Sequence, residues 1–150
     1  MKQENYDNEP QPIRIVAELS HSVLISKCTN TTIMIKGKAN AVTVENTSRL
    51  SLVVDTLISS VDAIKSRNLA VQVLGSVPTI MLDQIDGAQI YLSKESISSR
   101  LFTSNSSGVN LNTISGLEED YKEAPLPSQI CSYFDKDKGH LVSEIVEHSG

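Results

Sequence analysis

Paired apolar residues recur along this chain at a step of roughly ten residues: Ile13/Ile15, Val23/Ile25, Ile33/Ile35, Val42/Val44, Leu52/Val54, Val61/Ile64, Val71/Val73, Ile80/Leu82, Ile90/Leu92 and Val109/Leu111. A spacing of two places both members of a pair on one side of a β-strand, so the same buried side returns at every beat. The period is that of a strand and its turn, not of a helix.

The segments between the beats are corner material: Cys28-Thr29-Asn30-Thr31-Thr32, Asn46-Thr47-Ser48, Ser66-Arg67-Asn68 and Asn105-Ser106-Ser107-Gly108. Asn tolerates left-handed backbone angles, and Ser and Thr hydroxyls bond nearby backbone groups. Such a chain is all-β. A sandwich or an up-and-down barrel would fit the strand lengths, but tight hairpins favour Asn-Gly or Asp-Gly turns, and only Asp86-Gly87 is present. Bends without reversals favour a parallel β-helix. Two beats, or roughly twenty residues, make one coil, and about six coils stack over some 25 to 30 Å.

Stacking leaves open strand edges at both ends, which must be covered. The beat stops after Leu111. A link follows that contains Glu118-Glu119-Asp120 and the constrained Ala124-Pro125-Leu126-Pro127, which reads as extended and exposed. Beyond it, Ile130 to Phe134 and Leu141 to Val146 flank the turn-forming Asp135-Lys136-Asp137-Lys138-Gly139-His140, the strongest hairpin signal in the chain. The expected division is a lead-in over 1–12, a solenoid over 13–116, a linker over 117–128 and a hairpin with its tail over 129–150. An apolar hairpin at the end of a solenoid must cover its own core or that of a second copy. Exchange between copies would make a homodimer, with Ile130, Tyr133, Phe134, Leu141, Val142, Ile145 and Val146 at the interface.

Composition excludes more than it names. At 150 residues, 39% hydrophobic and 21% charged, the chain is most simply one soluble domain. Met1 to Pro12 is polar and acidic where a signal peptide would be basic and then apolar, and no apolar run could span a membrane, so a cytoplasmic location is expected. The sequons that begin at Asn30, Asn46 and Asn105 then carry no weight. Cys28 and Cys131 match no metal or redox spacing and read as reduced thiols. A net charge of −5 opposes nucleic acid and anionic membranes.

Catalytic motifs are missing: no phosphate loop, no metalloprotease His pair and no nucleophile elbow, with His21, His140 and His148 scattered. Asp135 to Gly139 lacks the later ligands of a calcium loop. Asp55, Asp62, Asp83 and Asp86 could be compared with the acids of polysaccharide-cleaving β-helices, but aromatic sugar platforms are scarce, with no Trp and 4% aromatics. No cofactor, metal or catalytic residue is expected, and the protein reads as a binding module. In Ile33-Met34-Ile35-Lys36-Gly37-Lys38, alternation turns Ile33 and Ile35 inward and Met34, Lys36 and Lys38 outward, with Gly37 leaving space between the ammonium groups. Lys27, Lys65 and Arg67 stand at comparable beats. Together they could form a local basic surface for an acidic protein partner.

The stretches Lys2-Gln3-Glu4-Asn5-Tyr6, Ile35-Lys36-Gly37-Lys38-Ala39-Asn40, Val77-Pro78-Thr79-Ile80, Asp86-Gly87, Tyr91-Leu92-Ser93-Lys94-Glu95-Ser96 and Glu147-His148-Ser149-Gly150 resemble the C-terminal domain of cyclase-associated protein. The resemblance runs over almost the whole chain. It implies a right-handed parallel β-helix that dimerises by exchanging C-terminal strands. It also implies binding to monomeric actin, with preference for ADP-actin, and promotion of nucleotide exchange that recycles monomers. The family's N-terminal helical domain, proline-rich segments and short actin-binding motif have no counterpart in these residues, so a short form is expected. On this footing Lys27, Lys36, Lys38, Lys65 and Arg67 are the candidate actin contacts, and Glu147, His148, Ser149 and Gly150 the candidate exchange tail. Ser149 stands where the family usually has Ala. The alternatives are a pure actin-sequestering protein, or a GTPase-regulating β-helix of the tubulin-binding cofactor C type. The latter needs a Gln-x-Arg-x-His pattern, which Lys65-Ser66-Arg67-Asn68-Leu69 does not supply.

Overall fold

Apolar pairs with nothing but corners between them can be withdrawn from water only by stacking on their own repeats, and the computed structural model, which describes residues 1–114 and 120–146, shows that stack. One broad face is built from β1 (Lys2–Glu4), β3 (Ser22–Ser26), β5 (Ala41–Glu45), the first halves of β7 (Ser60–Val73) and β8 (Thr79–Leu92), and β9 (Arg100–Ser104). The other is built from β2 (Ile13–Val16), β4 (Thr29–Ala39), β6 (Ser48–Leu57), the second halves of β7 and β8, and β10 (Ser107–Thr113). Pairing within both faces is parallel. The result is a flattened parallel β-solenoid of about six coils.

The register turns the beat into ladders. Ile13, Ile33, Leu52, Val71, Ile90 and Leu111 stack in line on the second face. Val23, Val42, Val61, Ile80 and Leu101 do so on the first. Most are fully buried, and each buried Val, Leu or Ile side chain contributes roughly 1.5 to 3 kcal/mol of transfer free energy. One beat is displaced. The inward partner of Val61 is Ala63, not Ile64, because strict alternation from Val61 carries Ile64 to the outer side, where it is half-buried.

The lead-in takes part in the stack: β1 pairs with β3, and Asp7 bridges to Thr29. Of the link, Lys122–Pro125 forms β11, antiparallel on β10 and exposed. Among the described residues, strands β12 (Ile130–Asp135) and β13 (His140–Ile145) pair only with each other. Their turn is closed by Asp135, whose carboxylate accepts the Asp137 and Lys138 amides at 2.9 and 3.1 Å while Gly139 takes φ +73°. No helix among the described residues is long and apolar enough to cross a membrane.

Cys28 is buried in the core cluster and its Sγ–H donates to the Ser26 carbonyl at 3.4 Å, whereas Cys131 is exposed on β12. Burial pushes the Cys28 thiol up from its ordinary range. In native protein a thiol reagent should therefore label Cys131 rapidly and Cys28 only after unfolding. Because the folded state holds the Cys28 proton longer than the unfolded state, stability should fall as pH rises above about 8.5. Cys28→Ala should flatten that decline in a pH series of denaturant unfolding curves.

Candidate interaction surfaces

Two edges join the faces, and they are built differently. At the narrow edge every coil turns through two left-handed residues three positions apart. Asn5, Lys27, Asn46, Lys65, Gln84 and Asn105 form one ladder, with φ from 49° to 63°. Asn8, Asn30, Arg49, Asn68, Gly87 and Gly108 form the other, with φ from 48° to 83°. Asn and Gly accept these angles most readily, and non-glycine residues held there cost of order 1 kcal/mol or more. Hydrogen bonds between coils hold the turns in place: Lys27 N–H donates to the Glu45 carbonyl at 3.1 Å, and Arg67 N–H, two residues beyond Lys65, to the Thr47 carbonyl at 3.0 Å. Inside the turn, the Thr47 amide and hydroxyl both donate to Ser66 Oγ, at 3.1 and 2.9 Å, which keeps these buried polar groups satisfied.

This edge carries Lys27, Lys65 and Arg67, all exposed. Lys27 and Lys65 share a ladder two coils apart, roughly 10 Å along the axis. Arg67, one position before Asn68 of the second ladder, stands in register between Ser48 and Asp86. Lys65 and Arg67 border a shallow polar groove of about 480 Å³, which Asn46, Ser48, Gln84 and Asp86 also line.

Lys36 and Lys38 lie at the opposite, broad edge, where β4 ends. Both are exposed, with Met34 half-buried and Ile33 and Ile35 buried, so the alternation read from the sequence holds up to Lys36. The register then slips between Ile35 and Lys38, at Gly37. Gly37 is required by the backbone: φ is +87°, and a Cβ there would meet the Ala17 carbonyl oxygen at 2.9 Å. The five candidate cations thus form two separate groups, one per edge, with the width of the second face between them. None of the five forms an ion pair with a described residue.

The hairpin presents another surface. On one side the register aligns Ile130 with Ile145, Ser132 with Ser143 and Phe134 with Leu141. Ile130 is 68% exposed, Leu141 66%, Ile145 63% and Phe134 62%. Tyr133 and Val142 face the other side, where the Tyr133 hydroxyl donates to Glu144 at 3.0 Å; that carboxylate holds the phenol above its ordinary range. Val146 closes the hairpin by donating its backbone N–H to the Gln129 carbonyl at 3.0 Å. The tail candidates Glu147, His148, Ser149 and Gly150 lie outside the described residues, as do Glu118 and Glu119 of the link.

The four carboxylates compared above with a sugar-cleaving groove do not form one array. Asp55 follows the strand core of β6 toward the broad edge and Asp86 belongs to the narrow edge, while Asp62 and Asp83 share the outer side of the first face. Among the described residues no three His, Cys, Asp or Glu side chains are grouped to hold a metal ion. The left-handed ladders were not read from the sequence. Their signal was available in the repeat of Asn at Asn5, Asn46 and Asn105 and at Asn8, Asn30 and Asn68, but Lys and Arg occupy equivalent places and hide it.

Comparison with known proteins gives this geometry a family. The family model described as adenylate cyclase associated (CAP) C terminal matches residues 2–148. The adenylyl cyclase-associated protein of Schizosaccharomyces pombe is 50% identical over 131 residues, covering 87% of this chain and 23% of that protein. Adenylyl cyclase-associated protein 1 of Mus musculus is 38% identical over 147 residues, covering 98% of this chain and 30% of its own length. The chain therefore spans less than a third of these curated relatives. Its fold superposes on the crystal structure of the cyclase-associated protein from Cryptosporidium parvum with a TM-score of 0.89 at 30% identity, over 95% of this chain and 87% of that one. By sequence and by fold alike, the chain belongs to the family of cyclase-associated protein C-terminal domains.

Proposed function

We propose that this domain binds monomeric actin, prefers the ADP-bound form, and promotes nucleotide exchange so that depolymerised subunits can be reused. Membership of the cyclase-associated protein family over residues 2–148 carries this reading. The exposed cations at the two edges support it, since an acidic protein of net charge −5 with five cations that form no ion pair among the described residues retains local positive surfaces for an acidic partner. The uncovered apolar side of the hairpin supports exchange of β12 and β13 between two copies. A two-stranded hairpin is at best marginally stable alone in water, and a second copy would give it a sheet to join.

A dimer that offers the same surfaces twice would hold two actin monomers. Tighter binding to an open-cleft state than to a closed one would then shift the population of the actin toward nucleotide release. The reading calls for no covalent step. Within it, Lys27, Lys65 and Arg67 contact actin along the narrow edge, Lys36 and Lys38 along the broad edge, and Glu147 to Gly150 act in exchange.

Release of a fluorescent nucleotide from ADP-actin tests the functional direction. The rate should rise with added domain, and removal of residues 147–150 should lower the rate more than the affinity. Slower release on binding would establish the sequestering alternative, and an unchanged rate without binding would overturn the proposal.

A further inference from the structure

The outer side of the first face carries the opposite chemistry from the edges. Two outward ladders run along it: Leu24, Thr43, Asp62, Met81 and Phe102, and beside them Glu45, Ile64, Asp83 and Ser104. Toward the C-terminal coils they line a groove of about 330 Å³, with Ile64, Met81 and Phe102 as its apolar walls and Asp62 and Asp83 as its acids. Met81 and Phe102, direct neighbours across the β8–β9 pair, are 47% and 52% exposed. The Asp62 carboxylate accepts the Ser60 hydroxyl at 3.0 Å. Asp83 Oδ1 is shielded from water and has no hydrogen-bond partner among the described residues.

The shielded Oδ1 is out of a ligand's reach, and the Asp83 carboxylate has no ion-pair partner among the described residues. No cation of the first face meets it: Lys2 pairs with Glu4 at 3.5 Å, and Arg100 borders a different groove with Ser76, Pro78 and Glu95. The groove thus combines apolar walls with the carboxylates of Asp62 and Asp83, and its complement is a cation beside an apolar anchor.

We propose that this groove docks an extended polypeptide segment that sets a lysine or arginine on Asp83 and an adjoining aliphatic or aromatic side chain against Met81 and Phe102. Because the edges favour acidic partners, this surface serves a chemically distinct contact, and the proposal does not depend on actin binding. Methyl-labelled full chain should be titrated with acetyl-Lys-Phe-Lys-Leu-Lys-amide and, separately, with the Glu-for-Lys peptide. The lysine peptide should give saturable shifts at the Ile64 and Met81 methyls, and the glutamate peptide none. Asp83→Asn, which keeps the side-chain shape, should weaken the lysine peptide by about tenfold or more. Phe102→Ser, at an exposed edge-strand position, should weaken both its affinity and its Met81 shift. Equal response to both peptides, shifts centred on Ile130 and Ile145, no saturable shift, or no effect of Asp83→Asn would overturn the proposal. Movement of the Ile64 and Met81 signals on dilution of the free protein would assign the groove to a second copy and overturn it equally.

Discussion

Replacing Leu52 by Ala is expected to lower the unfolding free energy by about 2 to 5 kcal/mol. Leu52 is 1% exposed and stacks between Ile33 of the coil before and Val71 of the coil after, so truncation opens a void that two neighbouring rungs border. The strand backbone fixes the spacing of the coils, and the lining cannot collapse to fill the space. Denaturant unfolding followed by circular dichroism should show a lower midpoint. A loss below about 1 kcal/mol would mean that the stack tolerates voids and that the ladder does not limit stability.

If the hairpin is exchanged between two copies as proposed, serine at both Phe134 and Leu141 is expected to convert a dimeric parent into a folded monomer. These two side chains are cross-strand partners on the uncovered side of the hairpin, and neither contributes to the solenoid core. Their loss should abolish association and leave the thermal transition of the solenoid nearly unchanged. Sedimentation equilibrium separates the cases. A parent that is monomeric at every concentration, or a double variant that stays dimeric, would reject exchange through this face.

The interior was legible because burial in a solenoid is a local, period-two property. Ile33 and Ile35 could be placed inward from spacing alone, and only Ile64 misled, since an apolar residue three positions after Val61 looks like its partner while the small Ala63 fills that place. The grouping of the surface charges was not legible. Lys27 and Lys36 are close in sequence yet sit on opposite edges, whereas Lys27 and Lys65 are far apart in sequence and share a ladder. That relation depends on coil length and corner position, which apolar spacing does not specify. Gly37 shows the same gap: the residue looks like space between two lysines, but its angle and the nearby Ala17 carbonyl explain it. Met81 and Phe102 directly follow the inward residues Ile80 and Leu101, so an apolar outer groove was implicit in the sequence. Only the stacking register brings Asp83 beside it.

Titration of the domain against ADP-actin decides whether the basic edges hold the monomer. Asn at both Lys27 and Lys65 removes charge from the narrow edge while placing a residue suited to the left-handed backbone there, so the fold should be at least as stable as in the parent. Ala at both Lys36 and Lys38 does the same for the broad edge without touching the core. Each pair of substitutions is expected to weaken ADP-actin binding by about tenfold, more at low salt than at high, with the oligomeric state unchanged. Affinity that stays at the parent value in both double variants, at low ionic strength, would contradict that role for the edges.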